Sequence, residues 1–216
     1  MTIVHLNTPP LYGLDIETDT TDNGLDPGVA AVVSVAVVSE TDEWVLEGDE
    51  SSLLVRLDAL MVELAPGILI TWNGGGFDLP FLSDRAALAG VELGLRIQLD
   101  PKIVSHNDPL PGHKGSYRAS WHQHSHLDGY RVFRSDAGAV LGLPCGLKPM
   151  ARLLGLNPIE VDRETIHLLG NAERQAYVAS DARVTRQLVL RRWQTAQLAI
   201  DKDPRPVLAA AKSERL

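Results

Sequence analysis

Cysteine is nearly absent from this sequence: Cys145 is the only one in 216 residues. A lone thiol closes no internal disulfide and supplies no thiolate zinc cluster, so stability has to come from burial. Long apolar runs are absent as well. No stretch approaches the ~20 consecutive apolar residues of a membrane helix. The start, MTIVHLNTPPLYG, lacks the basic opening and apolar core of a signal peptide, and the expected location is the cytoplasm, away from membranes. Basic residues are in deficit, 20 against 28 acidic ones, for a formal net charge of −8. That argues against a broad basic surface holding nucleic acid by phosphate neutralisation alone. It leaves open phosphodiester chemistry in which carboxylates hold divalent metals that supply the positive charge. There is no internal repeat and no low-complexity block.

What is present is ordinary for a folded domain, with 44% hydrophobic and 22% charged residues. At about 100–200 residues per domain, one core is the default, here over residues 1–200, with 201–216 as a peripheral tail. Apolar, β-branched runs at residues 11–16 and 29–38 read as neighbouring strands separated by the turn-rich TDTTDNGLDPG. Residues 43–46 are a third strand candidate. Ser51 and Ser52 then stand where a cap belongs, before Leu53, Leu54, Leu57, Leu60, Met61 and Leu64, which recur at three and four residues as on an amphipathic helix. A buried strand at 68–72 leads through a glycine loop into a second helix at 78–88, closed by Gly90. Residues 100–125, with Pro101, Pro109, Pro111, Gly112 and Gly115 among polar residues, lack periodicity and read as a long loop near the substrate. A short strand around His126 leads into a helix near Tyr130, another helix covers 148–154, and the longest covers 171–198 with Asn171 as its cap. Strands alternating with helices imply an α/β fold, a mixed central sheet flanked by helices.

Three segments carry candidate chemistry. In Leu14-Asp15-Ile16-Glu17-Thr18, two carboxylates at i and i+2 of a strand project to one side. Like charges that close need a cation to stay ionised, and oxygen ligands suit Mg²⁺ or Mn²⁺. Taken singly, an Asp-x-Glu at a strand end is more often a solvated turn. In Asn73-Gly74-Gly75-Gly76-Phe77-Asp78, a carboxylate opens a helix after three glycines, which let the backbone approach a ligand closely. Its plain alternative is a helix cap. The spacing is neither the dinucleotide fingerprint nor a P-loop. Tyr177 and Asp181 stand four apart on the long helix and share a face; alone they fit any amphipathic helix.

Together, in this order, the segments resemble the DEDD superfamily of 3′→5′ exonucleases, whose fold is ribonuclease-H-like. Asp15 and Glu17 match its first motif, Asp78 its second and Asp181 its third, of the Tyr type because Tyr177 stands four residues before Asp181. The string Asn73-Gly74-x-x-Phe77-Asp78-x-Pro80-Phe81-Leu82 looks most like the exonuclease domains of family B DNA polymerases and their stand-alone relatives. The likeness runs from about residue 12 to 190, although 100–125 matches no motif. It implies a two-metal phosphodiesterase that releases nucleoside 5′-monophosphates. Asp15 bridges both ions, Glu17 and Asp181 complete the site of the attacking water, Asp78 supports the second ion and Tyr177 positions the water. Thr18 and Asn73 are the implied contacts to the terminal nucleotide. The implied partner is single-stranded nucleic acid, DNA ahead of RNA. With no polymerase motifs in the sequence, the expectation is an enzyme acting alone or with a protein partner. The other readings are an exoribonuclease of the same fold and a non-catalytic nucleic-acid-binding module.

Five histidines, His106, His113, His122, His124 and His126, crowd into twenty-one positions. His122-x-His124-x-His126 on one strand face would suit a transition metal. The preferred reading is a solvated loop, where Lys114, Tyr117, Arg118 and Trp121 offer charge and stacking to a single strand. His126-Leu127-Asp128 resembles a strand ending that recurs in these stand-alone exonucleases, with Asp128 as a cap of the next helix the plain alternative, and Arg183, Arg186, Arg191 and Arg192 read as a solvated basic helix end, with contact to phosphate the alternative.

Overall fold

β-Branched and alternating segments form the strands, and leucine-rich periodic ones form the helices that cover them. The computed structural model describes residues 8–104, 110–161 and 168–201. A meander of β1 (Leu11–Thr18), β2 (Val32–Val38) and β3 (Glu43–Glu47) comes first. Next are α1 (Glu50–Glu63), β4 (Ile68–Thr71) and α2 (Asp78–Ala89). Then follow β5 (Leu95–Val104), β6 (Gly115–Trp121), β7 (His124–Asp128) and α3 (Gly129–Phe133), which runs into a π-helical turn at Arg134–Gly138. The chain closes with α4 (Leu147–Leu153), α5 (Asn171–Arg191) and α6 (Trp193–Ala196).

The seven strands form one sheet in the order β3-β2-β1-β4-β7-β6-β5. β4 pairs parallel with β1 and with β7, and the remaining neighbours are antiparallel, so the sheet is mixed as expected. One face packs Leu14, Ile16, Val35 and Val37 against Leu53, Leu57 and Met61 of α1 and Leu79 and Leu82 of α2. The other face is covered by α5, whose Val178, Ala179 and Ala182 meet Ala36 and Val38. Beyond them Val184 and Leu188 join Ile68, Ile70 and Leu127. Removing such side chains from water supplies roughly 1.5–3 kcal/mol each.

Several boundaries differ from the periodic reading. Asp49, not a serine, caps α1, accepting from Ser52 N at 3.0 Å. Gly170 precedes α5, its N–H donating to Glu173 Oε2 at 3.1 Å, and Asn171 lies inside the helix. α5 ends at Arg191, and α6 and a short 3-10 turn replace its expected continuation to 198. Gly90 does close α2, in the left-handed conformation at φ 67°.

The expected loop at 100–125 is the largest correction. β5 and β6 are paired strands, with Leu95 opposite Trp121 and Leu99 opposite Tyr117. β5 lies at the sheet edge, where prolines and half-exposed side chains are tolerated and hide the alternation. Trp121 is buried and donates to Asp58 Oδ1 at 2.7 Å, while Arg118 is bound to Asp100, so neither forms the expected stacking platform. The three-histidine face does not form either. His122 lies in the turn before β7 at φ 47° and faces Asp58; His124 Nε2 donates to the Met61 carbonyl; His126 lies between Thr71 and Asp201. His106 lies outside the described residues.

Register decides where a site can form. Leu11 pairs with Ile68 and Gly13 with Ile70, and β4 ends at Thr71. The last residues of β1, from Asp15 onward, therefore project past the end of their parallel neighbour. Crevices outside the carboxyl ends of parallel strands are the usual ligand sites of α/β sheets.

Candidate active site

Asp15 and Glu17 point to the face that α5 covers, and Gly13 two residues earlier explains how closely α5 can lie. A Cβ at Gly13 would collide with the Ala182 carbonyl. The absent side chain lets α5 settle against β1 and brings Asp181, beside Ala182, to the two strand carboxylates. Ligand oxygens of Asp15, Glu17 and Asp181 all lie within 4.8 Å of one another. α5 is itself pinned nearby, Ser180 Oγ accepting from Ile159 N at 3.0 Å.

Asp78 arrives from the other side. It is the first residue of α2, and Phe77 precedes it without a side-chain capping bond. The Asp78 carboxylate accepts instead from its own N–H and from the N–H of Ile16, on the edge of β1 that β4 leaves open. It is 4% exposed. It is not among the three acids that share the 4.8 Å cluster, so the second-motif acid stands apart from the trio.

The electrostatics are those of acids set close to one another. Burial holds the Asp15 carboxyl well above the usual carboxylate range, and Asp181, Glu17 and Asp78 push it further, with Lys148 opposing them. Burial also raises Asp78, to about 7, with help from Asp128. Three converging carboxylates, with Asp15 and the nearby Asp78 held above the usual carboxylate range, are a natural place for hard divalent cations, whose preferred ligands are oxygens.

Lys148 is the functional candidate that sequence reading missed. Its ammonium pairs with Asp181 and lies 4.5 Å from the centre of the Tyr177 ring. Tyr177, 3% exposed, stands one turn before Asp181 on the same face of α5. The one local signal was a lysine in the first turn of a helix, where the helix dipole disfavours a cation. The partner that stabilises it lies thirty-three residues away.

The two expected substrate contacts differ in character. Thr18 Oγ1 donates to the Gly24 carbonyl at 2.6 Å, which ties down the β1–β2 loop. Asn73 holds a left-handed backbone at φ 66°, and its N–H donates to Asp128 Oδ1 at 2.9 Å. Nor do the loop glycines make room chiefly for a ligand. A Cβ at Gly74 would strike the Thr71 side chain, and one at Gly75 would lie 2.5 Å from Arg131 Nη2 and 2.6 Å from the Tyr117 carbonyl. The basic residues at the end of α5 and just past it serve the fold: Arg183 pairs with Glu43, Arg186 donates to the Leu11 carbonyl, Arg191 to the Leu154 carbonyl and Arg192 to Asp136.

Comparison with known proteins shows which family the chain resembles. Residues 17–139 match the family model described as DNA polymerase family B, exonuclease domain. The catalytic polypeptide of DNA polymerase epsilon from Eremothecium gossypii is 31% identical over 149 residues, and that from Saccharomyces cerevisiae 30% over 149, each match covering 67% of this chain and 6% of the relative. This chain thus spans only a small part of the length of these relatives. Among solved structures, the family B DNA polymerase of the archaeon Pyrobaculum calidifontis superimposes with a TM-score of 0.68 at 21% identity, over 86% of this chain and 24% of that one.

Proposed function

Because this chain belongs to the family of DNA polymerase family B exonuclease domains, we propose that it removes nucleotides from the 3′ end of single-stranded DNA. The products are nucleoside 5′-monophosphates, and two divalent cations, Mg²⁺ or Mn²⁺, take part. The observation that carries this reading is the convergence of Asp15, Glu17 and Asp181 within 4.8 Å, with Asp78 on the open edge of β1. The donor set fits the cations, being composed of carboxylate oxygens alone, desolvated and mutually repelling. Asp15, Glu17 and Asp181 would hold one ion, and Asp15 with Asp78 the other. When bound, the ions make hydroxide available near neutral pH and offset charge on the departing 3′ oxygen.

The chain's own groups do the rest. Tyr177 offers a phenol one turn from Asp181, where it orients the attacking water. Lys148, against both Asp181 and the Tyr177 ring, balances the carboxylates and holds the phenol in place. Thr18 and Asn73 flank the carboxylates, and their backbone positions suit contact with the terminal nucleotide. On this reading the chain is of the Tyr type of the superfamily.

The test uses 5′-labelled single-stranded DNA and RNA of one sequence, with Mg²⁺, Mn²⁺ or EDTA, beside Asp181→Ala. The expected result is a ladder shortening from the 3′ end of DNA, lost with EDTA and in the variant. Faster shortening of RNA would move the assignment to RNA trimming. Retention of the strand without cleavage would identify a binding module.

A further inference from the structure

Asp128 is not one of the four motif acids, yet it is 2% exposed and its carboxylate accepts from the loop that joins β4 to Asp78. Oδ1 accepts from Asn73 N at 2.9 Å and from Tyr130 N at 3.0 Å. Oδ2 accepts from Gly75 N at 3.3 Å and lies 3.6 Å from Arg131 Nε. Capping α3 needs only the bond to Tyr130. The other two reach across the sheet, because Thr71 at the end of β4 pairs in register with Asp128 at the end of β7. The loop leaving β4 is therefore wrapped around this side chain.

Four further backbone bonds carry the course of the loop from the residues that Asp128 holds into α2. Gly75 O accepts from Tyr117 N at 2.7 Å, seating the loop against β6. Gly76 N and Phe77 N both donate to Asn73 O, at 2.9 and 3.0 Å, and Leu79 N donates to Gly74 O at 2.9 Å. With residues 73 and 75 fixed, the first turn of α2 is fixed, and with it the direction in which Asp78 leaves the backbone. Behind Asp128 stands Arg131, bound to Ser116 Oγ, the Tyr117 carbonyl and Asp201 Oδ1. Asp201 in turn accepts from Ala119 N and faces His126 Nδ1 at 2.6 Å.

We propose that Asp128 is a positioning residue for the Asp78 side of the metal centre, acting through the backbone of residues 73–77, while the Asp15, Glu17 and Asp181 side is independent of it. The proposal rests on the two-ion reading above. The residues that orient a metal ligand typically change metal affinity by about 10–100-fold when removed. Asp128→Asn separates positioning from capping, because asparagine caps a helix about as well as aspartate. Its amide NH₂ replaces one oxygen and faces a backbone N–H that needs an acceptor.

The readout is Mn²⁺ binding to the full chain by calorimetric titration, without nucleic acid, beside the melting temperature. Two ions are expected on the wild-type protein. Asp128→Asn should weaken one of them by about tenfold or more and leave the other within about twofold. Both affinities within about twofold of wild type, whatever the melting temperature, would overturn the proposal and leave Asp128 a helix cap. Gly75→Ala pushes the same loop from β6 with Asp128 intact and should weaken the same ion; it decides the matter if Asp128→Asn does not fold. A wild-type protein that binds one ion or none would sink the two-ion reading itself, a result visible before any variant is compared.

Discussion

Two buried polar regions lie within a few residues of each other and are built on opposite terms. In the first, where β1 meets α5, three carboxylates share a space 4.8 Å across, and Lys148 is the cation shown against them. In the second, around the ends of β4 and β7, Asp128 and Asp201 receive backbone N–H groups, Arg131 and the His126 ring in a chain of bonds and ion pairs. Each carboxylate faces donors there, and those bonds offset the cost of desolvation. The first region is unbalanced in that carboxylate is set against carboxylate, and the second is balanced in that its carboxylates are set against donors. The difference teaches which acids are for a ligand and which for the fold: similar burial, opposite electrostatic balance.

The comparison is broken most sharply from its unbalanced side. Asp15→Asn should lower exonuclease activity by more than about a thousandfold in a labelled-strand assay. It should also raise the melting temperature in EDTA by a few degrees, because one repelling charge is gone. A lower melting temperature in EDTA would mean that the trio is as well paired as its neighbour.

Next comes the pH dependence of the metal-free protein. The Asp78 carboxyl is pushed up to about 7 from its ordinary 3.8, so the folded chain keeps a proton that the unfolded chain has lost. Stability must then fall as pH rises from about 4 to 7, by up to roughly 4 kcal/mol, and Asp15 acts in the same direction. Melting in EDTA should occur at a higher temperature at pH 5 than at pH 8. Saturating Mg²⁺ should remove most of that difference, and Asp78→Asn should flatten the EDTA profile.

From the balanced side, Asp201→Asn should cost about 2–3 kcal/mol of stability, because Arg131 and the His126 ring lose their anionic partner inside the protein. Urea denaturation would measure it, and a change under about 0.5 kcal/mol would mean that the chain of bonds adds little. The smallest effect belongs to Tyr177→Phe. A rate about tenfold lower, worth roughly 1.4 kcal/mol in the transition state, is expected with Mn²⁺ affinity unchanged. An unaltered rate would remove the phenol from the mechanism.

The balanced region was nearly invisible in the sequence. Asp128 read as a strand ending or a helix cap, and it is both, but its bonds to Asn73 and Gly75 depend on β4 and β7 lying side by side. Asp201, read as the start of a peripheral tail, is 8% exposed and bonded into the sheet; residues 202–216 lie outside the described ones. The β5–β6 hairpin read as a loop because Pro101 and the polar residues of an edge strand mask the alternation of Leu95, Ile97 and Leu99. The unbalanced region was far more legible. Alternation put Asp15 and Glu17 on one side of a strand, helical spacing put Tyr177 and Asp181 on one face, and the motifs' order pointed to the family that the comparison then confirmed.

Sequence by itself determined what local periodicity can report: which segments are strands and helices, which side chains share a face, and which acids come in motifs. Tertiary structure alone decided that Gly13 lets α5 approach β1, that β4 stops short and leaves Ile16 N–H to Asp78, and that Lys148 pairs with Asp181. The reason is physical. Periodicity records the geometry of a chain with itself over a few residues. A contact between distant segments depends on strand register and on packing distance, which no single residue carries.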